Sequence, residues 1–478
     1  MTSSLPTFSK ATAAATILLV GSISWALVGA GLQVLSTLQL LIPSLAYILP
    51  IPWISYGKLA PLTTFLFTYG WIISGFLGVL TILIPRISGI PFRYGRVLGG
   101  AAILWQVAVL VGLAEILWNG STGLISMPFS RSVTALFFLS FIIFGTGLTR
   151  GLGRSWKTGP LLPRLYLLGA LLAFPLGLGT AELLLRGGLA PGALQIMMQF
   201  VWNSFLHHLW LTPLALVLLF QLLPVLTGRP VGSLALGLLC WVATITLGGW
   251  IGNSLASEGP VPSWLQSAGV VSTLLLGIAV WGNGTLLKAL LDGKWEECRR
   301  QVALRFLGVG LWSYLASYAW LAFLALPAVR QTTTFTMVAQ ATQTLLLFSF
   351  YGNVLAGAIY ALLPASRAMG WPSHPALTIH FWFSTIGLGL IASSYALAGI
   401  FQGLALNDPG VPMSTISSYL RPFLCTVMVG QVFWWIGQLS FSTLFFASLL
   451  RLFPSVAPAA IFPADYEDPS QLLSEGKY

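Results

Sequence analysis

Apolar runs separated by Gly, Pro and charged residues dominate this chain. A helix rises about 1.5 Å per residue, so about 20 apolar residues cross the ~30 Å hydrocarbon layer of a membrane. Twelve runs qualify, at about residues 12–36, 62–84, 97–118, 132–150, 163–185, 195–226, 231–252, 264–291, 302–326, 335–364, 376–404 and 417–450. The pattern predicts an all-α, polytopic membrane protein with twelve transmembrane helices in one domain, residues 1–478.

Basic residues lie mostly in the short loops between the runs, and their distribution predicts orientation. Seventeen Lys and Arg fall on the side of the N-terminus, against five on the other side, namely Lys58, Arg131, Arg186, Arg330 and Arg421. Lys and Arg are retained on the cytoplasmic side of a membrane. We therefore expect a multi-pass protein of the cell inner membrane with both termini cytoplasmic, including a short acidic tail at 452–478.

Composition agrees with this picture and disfavours nucleic acid as a partner. Hydrophobic residues make up 56% of the chain and charged residues 7%, whereas soluble proteins carry about 25% charged residues. The net charge of +11 does not indicate nucleic acid, because the basic residues lie between membrane runs. The three cysteines, Cys240, Cys298 and Cys425, lack metal-ligand spacing and are expected in the core. The lipid bilayer is the expected partner.

Few acidic groups fall within the runs. Glu115 and Glu182 lie near the outer ends of the third and fifth runs, and Glu182 precedes Arg186 by four residues, which predicts an ion pair on one helix face. No Asp or Glu lies in the middle of a run. Proton-driven transporters usually place such a group near the membrane midplane, so the pattern disfavours that class.

Several segments resemble the catalytic subunit I of cbb3-type (C-family) haem–copper oxidases, which is related to the nitric oxide reductase large subunit. Residues 56–64 (YGKLAPLTT) resemble the family's YGRLRPLHT, and 211–214 (LTPL) with 228–231 (GRPV) resemble LTAG and RPV. Residues 380–387 (HFWFSTIG) and 399–403 (GIFQG) resemble HFWxATIG and SGIMQG. The resemblance runs through nearly the whole chain and implies a haem–copper oxidase subunit I-like bundle.

The resemblance also implies where the family's metal ligands would lie. The family uses six histidines to hold haem b, a high-spin haem and a copper ion. At the matching positions this chain has Thr63, Thr342 and Thr344 for the haems, and Ser204, Trp250 and Ile251 for copper. Hydroxyl and alkyl groups do not replace imidazole on these metals. We therefore expect no catalytic residue, no haem and no copper in this chain.

Two histidines lie close to the vacated copper position. His207 and His208 follow Ser204 by three and four residues. Adjacent helical residues point about 100° apart, so both cannot chelate one ion from the same face. We expect hydrogen-bonded core positions in preference to metal ligation. His380 matches no ligand position and is expected to pack, and His374 is expected in a solvated loop.

These observations favour a subunit I-like component of a cytochrome c oxidase-type respiratory complex, without its own haem or copper and with a structural or assembly role. Expected partners are other respiratory membrane subunits, with membrane-anchored cytochrome c as one candidate. One alternative is an active terminal oxidase or NO reductase subunit with atypical ligation. Another is a transporter or a quinone- or lipid-binding protein. The glycines of the eleventh run permit close helix approach, internally or to a partner: Gly387, Gly389, Gly399 and Gly403.

Overall fold

A computed structural model describes most of the chain. The described residues are 9–45, 54–88, 95–124, 126–153, 160–188, 192–251, 262–367, 371 and 374–450. Among them, eleven helices are long and apolar enough to cross a membrane, and a twelfth apolar helix is shorter. Each falls on one predicted run, which confirms the all-α membrane fold. The tail 452–478 lies outside the described residues.

The helices are labelled α1 to α12 in chain order. The eleven long apolar helices are α1 Ala13–Leu41, α2 Tyr56–Ile84, α3 Gly95–Asn119, α4 Arg131–Arg150, α5 Leu161–Arg186, α6 Met197–Thr227, α8 Ser263–Leu291, α9 Val302–Ala325, α10 Val338–Pro364, α11 Pro375–Leu406 and α12 Met413–Leu449, and the shorter one is α7 Leu234–Trp250. Short helices Trp295–Arg300 and Pro327–Thr333 lie in the connections before and after α9.

Helix α7 differs most from its prediction. It has 14 α-helical residues, followed by a 3-10 turn at Gly248–Trp250, in place of the predicted 231–252. Ser233 caps its start, since the side chain accepts a hydrogen bond from the Leu236 amide at 3.2 Å. At about 1.5 Å per residue, the helix Leu234–Trp250 is about 25 Å long, at the short end of what crosses a ~30 Å hydrocarbon layer.

Three helices form the centre of the bundle. In α2 and α10, 94% of the most apolar window is buried by protein, and in α6 78%, against 39–50% in the other long helices. The remaining helices surround these three and face outward on one side. The residues matched to the family's ligand positions, Thr63, Ser204 and Thr344, therefore lie on the three most central helices.

The same three helices each contain a π-helical segment. These segments are Leu66–Ile73 in α2, Phe205–Leu211 in α6 and Thr344–Gly352 in α10. The first begins three residues after Thr63, the second directly after Ser204 and the third at Thr344. Wide turns of this kind occur frequently at functional sites.

The glycines of α11 mostly pack inside the bundle. A Cβ on Gly387 would lie 2.6 Å from the Gly430 carbonyl of α12, and a Cβ on Gly399 would overlap the Val338 amide of α10. Gly403 is equally close to the backbone of Thr332, whereas Gly389 has open space around it. Internal packing therefore accounts for three of the four glycines.

An ion pair fixes one end of the bundle, as predicted. The Arg186 guanidinium lies 3.0 Å from the Glu182 carboxylate, one turn apart on α5. Arg186 also donates to Thr134 Oγ1 at 3.0 Å and to the carbonyls of Met127 and Phe129. These bonds attach the connection between α3 and α4 to the end of α5.

Two expectations about single residues were wrong. Of the cysteines, only Cys240 is buried, while Cys298 is half-buried and Cys425 is exposed on α12. A thiol is apolar enough to face lipid, so burial in protein is not required. His374 is not in a loop, since it is the first residue of the helix His374–Leu406. Its side chain lies outside the described residues.

Candidate functional site

The two positions matched to the low-spin haem carry buried threonines. Thr63 of α2 and Thr344 of α10 are 6% and 4% exposed. Thr63 Oγ1 donates to the Ala60 carbonyl at 3.0 Å, and Thr344 Oγ1 donates to the Gln340 carbonyl at 2.7 Å. Both hydroxyls therefore bond to the backbone of their own helix.

Thr342, the third haem-matched position, is also engaged. Its hydroxyl donates to the Val338 carbonyl at 3.0 Å and accepts a hydrogen bond from Trp320 Nε1 of α9 at 3.0 Å. The side chain thus links α10 to α9. A hydroxyl with these two partners is part of the helix packing.

Four aromatic rings fill the interface between α2, α10 and α12. This aromatic group consists of Phe67, Trp71, Phe348 and Trp434. The centroids of Phe67 and Phe348 are 4.7 Å apart, and each of these rings also packs on Trp434, at 5.4 and 5.0 Å. Phe67 follows Thr63 by four residues and Phe348 follows Thr344 by four, about one helical turn. Each threonine is therefore followed, about one turn along its helix, by a ring of the aromatic group.

The copper-matched positions do not converge as a donor set. Ser204 Oγ donates to the Gly248 carbonyl of α7 at 3.0 Å. The side chain of Trp250 is 42% exposed, whereas Ile251 is 1% exposed. The described residues contain no group of three or more His, Cys, Asp or Glu that could hold a metal ion.

His207 and His208 lie in the core with different neighbours. Their ring centroids are 6.5 Å apart. His208 Nδ1 shares a hydrogen bond with the Tyr318 hydroxyl at 2.8 Å. The His207 ring stacks on Tyr351 at 6.0 Å, and its Nδ1 has no hydrogen-bond partner among the described residues. The two rings contact different side chains, so these contacts do not direct both imidazoles toward one metal position.

A chain of buried hydroxyls continues from His208 across the bundle centre. Thr212 Oγ1 hydrogen bonds with Tyr318 and with Tyr351, both at 3.0 Å. The Tyr351 hydroxyl donates to the His207 carbonyl at 2.8 Å. This cluster joins α6, α9 and α10, so its side chains are held from three helices at once.

Sequence reasoning missed a second buried polar cluster beside the first. Asn283 of α8 donates to the Tyr166 hydroxyl of α5 at 3.0 Å and to the Tyr314 hydroxyl of α9 at 3.4 Å. Tyr314 packs on Tyr318 at 5.3 Å, which brings the clusters together. A signal was present, because Tyr314 and Tyr318 are one turn apart on one helix face. Asn283 is also a polar residue within an apolar run.

His380 packs as the sequence suggested. Its Nδ1 shares a hydrogen bond with the Tyr360 hydroxyl at 2.7 Å, and its ring stacks on Phe441 at 4.6 Å. The residue is 1% exposed. It ties α11 to α10 and α12.

The described part of the chain is an all-α membrane bundle organised around three central helices. A family model described as "Cytochrome C and Quinol oxidase polypeptide I" matches residues 13–439. The chain therefore belongs to the cytochrome c and quinol oxidase polypeptide I family.

Individual relatives agree with this assignment. The chain is 26% identical over 443 residues to the cbb3-type cytochrome c oxidase subunit CcoN1 of Stutzerimonas stutzeri, covering 87% of this chain and 90% of the relative. It is 23% identical over 403 residues to cytochrome c oxidase subunit 1 of Rhodobacter capsulatus, covering 80% and 74%. A solved structure described as a heme-copper terminal oxidase dimer superposes with a TM-score of 0.69 at 15% identity, covering 98% of this chain and 89% of that one.

The residues at the matched positions do not fit haem or copper. Haem iron and copper are held mainly by imidazole, thiolate, thioether or phenolate ligands, whereas Thr63, Thr342, Thr344 and Ser204 carry aliphatic hydroxyls that already donate to backbone carbonyls. The rings of Phe67 and Phe348 also touch between the two helices that would hold the low-spin haem. No reaction step through either metal is derived for this chain.

Proposed function

We propose that this chain is a non-catalytic, subunit I-like component of a respiratory membrane complex, without its own haem or copper. Its role is to provide a packed scaffold for the assembly of other subunits. The fold belongs to the oxidase family, while function resides in sites carried by a fold and does not follow from the fold alone.

The observation that carries the proposal is the donor chemistry at the vacated positions. Thr63 and Thr344 occupy central helices, yet their hydroxyls bond within those helices. About one turn further along each helix, the aromatic group packs α2 against α10. A buried interface filled in this way stabilises the bundle itself, which is what a structural subunit requires.

The proposed partners are other membrane subunits of the same complex, with membrane-anchored cytochrome c as one candidate. The relatives are named as oxidase subunits, which supports a subunit role. We place the chain in the cytoplasmic membrane with both termini on the cytoplasmic side, on the seventeen-to-five distribution of basic residues.

Metal analysis and a reduced-minus-oxidised absorption spectrum of the purified chain test the absence of cofactors. We expect less than about a tenth of a haem per chain and no copper, since imidazole is absent from the six positions. Protein from haem-supplemented and unsupplemented cells should give the same spectrum. Stoichiometric haem with Soret and alpha bands that survive washing would overturn the proposal.

Purification in mild detergent, followed by mass spectrometry of the co-purifying chains, tests the subunit role. We expect membrane subunits of a respiratory complex in fixed ratio to this chain. Unrelated detergent-solubilised proteins, added before extraction, serve as the control and should not co-purify with the chain. A stable lone chain that moves a solute across liposome membranes would refute the subunit role and favour a transporter.

A further inference from the structure

The connection between α8 and α9 is a charged segment at one membrane face. Residues 288–305 contain five cations and three acids. Each acid pairs with one cation: Lys288 with Asp292 at 2.8 Å, Lys294 with Glu297 at 2.6 Å and Arg300 with Glu296 at 2.5 Å. The segment therefore retains a net positive charge.

The two remaining arginines of the segment, Arg299 and Arg305, differ in whether the protein already engages their guanidinium groups. Arg305 donates to the Cys298 carbonyl at 3.2 Å and lies over the Phe381 ring at 5.8 Å. Arg299 is exposed and makes no ion pair among the described residues. Arg229, from the connection before α7, adds a cation nearby, since it donates to the Asp292 carbonyl at 2.5 Å.

An exposed indole accompanies these charges. Trp295 begins the short helix Trp295–Arg300 and is 67% exposed. Tryptophan is enriched where a membrane meets water, because its ring suits the depth of the lipid headgroups. Trp295 and Arg299 are four residues apart and share one helix face.

A groove opens between α8 and α9 on the outer surface of the bundle. It has a volume of about 330 Å³. Gly277, Ala319 and Ala322 are its small residues, and Ile278 and Trp281, 69% and 57% exposed, are large ones. The lining is mainly apolar and the groove faces the hydrocarbon of the membrane.

The charged segment and the groove belong to the same two helices. Ile278 precedes Lys288 by ten residues, which corresponds to about 15 Å along α8. Half of a ~30 Å hydrocarbon layer has the same depth. A molecule with its anionic group at the charged segment therefore reaches the groove with one hydrocarbon chain.

We propose that α8, α9 and their connection form a binding site for one anionic phospholipid. Its phosphate lies at Arg299 and the neighbouring cations, and one acyl chain lies in the groove beside Gly277. Charge complementarity selects an anionic headgroup, because the acids of the segment are already paired. Trp295 lies at the level of the headgroup.

Native mass spectrometry of the purified, delipidated chain tests the site, with dioleoyl phosphatidylglycerol and dioleoyl phosphatidylcholine as probes. We expect a one-lipid adduct with tighter binding of phosphatidylglycerol. Arg299→Gln should weaken that binding about fivefold, the effect of one basic residue near a charged surface. Adding Arg300→Gln should remove the preference over phosphatidylcholine. Arg421→Gln, an exposed arginine at the opposite end of the bundle, should change neither.

The groove is tested separately with Gly277→Leu. A Cβ at Gly277 meets only Ala322, at 4.0 Å, so leucine fills the groove without displacing backbone. We expect weaker binding of both lipids, whereas Gly389→Leu, at an open glycine of α11, should have no effect. Equal binding of the two lipids by the unaltered chain, or variants that match their controls, would overturn the site. Loss of the adduct in a complex where a partner helix crosslinks to Trp281→Cys would assign the groove to protein.

Discussion

The ring of Phe67 meets the ring of Phe348 edge to face, with centroids 4.7 Å apart and planes at 72°. This contact joins α2 to α10 one turn from Thr63 and Thr344. Aromatic pairs of this geometry contribute about 0.5–1.5 kcal/mol beyond the area they bury. A planar macrocycle cannot enter between the two helices at this depth unless both rings move.

The first prediction concerns restoration of a haem site. Thr63→His with Thr344→His supplies two imidazoles, but we expect no retained haem because Phe67 and Phe348 still touch. Adding Phe67→Ala and Phe348→Ala should permit uptake of a low-spin haem, seen as an alpha band after washing. The alanine pair without histidines is the control and should remain colourless. Full uptake by the histidine pair alone would show that the rings do not block the space.

The second prediction concerns the buried hydroxyls. Tyr318→Phe removes the partner of His208 Nδ1 and of Thr212 Oγ1, and should lower the free energy of unfolding by about 1–3 kcal/mol. Tyr314→Phe is the matched control, since Tyr314 is equally buried but accepts one long bond of 3.4 Å. It should cost less than about 1 kcal/mol. Unfolding in detergent, followed by circular dichroism, measures both. Equal losses of unfolding free energy in the two variants would contradict a stabilising role for the hydrogen bonds of Tyr318.

The third prediction concerns Gly399. Its Cβ position overlaps the Val338 amide, so Gly399→Leu should destabilise the bundle itself and reduce the monodisperse fraction on size exclusion. Gly389→Leu, with no atom within 4 Å of its Cβ position, should leave that fraction unchanged. If Gly399→Leu folds normally and only loses partner subunits, α11 is an interface between chains rather than an internal contact.

The fourth prediction concerns orientation. In a chain whose three cysteines are replaced by serine, Phe335→Cys and Glu296→Cys report on opposite membrane faces. Both native side chains are well exposed, at 87% and 77%. A membrane-impermeant maleimide applied to intact cells should label position 335, which the proposed orientation places away from the cytoplasm, and should spare position 296 until the cells are lysed. The reverse pattern would place both termini outside.

Hydropathy predicted the order of the helices and came close to their number, since twelve spans were predicted and the described residues contain eleven long apolar helices and one shorter one. Spanning helices need about 20 apolar residues and must satisfy their own backbone hydrogen bonds, so each leaves a clear run in the sequence. Helix ends were less predictable. Ser233 caps the start of α7, and the 3-10 turn at Gly248–Trp250 follows its α-helical part. The predicted apolar run, 231–252, showed neither boundary.

The contacts between helices could not be predicted from the apolar runs of the sequence. The Tyr166–Asn283–Tyr314 cluster joins three helices far apart in sequence, and apolarity does not indicate which faces meet. The glycines of α11 illustrate the same limit. Their pattern predicted close approach of a neighbour, and only the packed bundle identifies Gly430 and Val338 as the neighbours.

The π-helical segments have a consequence for how this chain tolerates change. A deletion in a regular α-helix rotates every later side chain by about 100°, but loss of one residue from Leu66–Ile73 is absorbed when the wide turn becomes α-helix, and the later side chains of α2 keep their directions. The same holds for α6 and α10. Each of the three central helices can therefore lose one residue at its π-helical segment without turning its buried face outward.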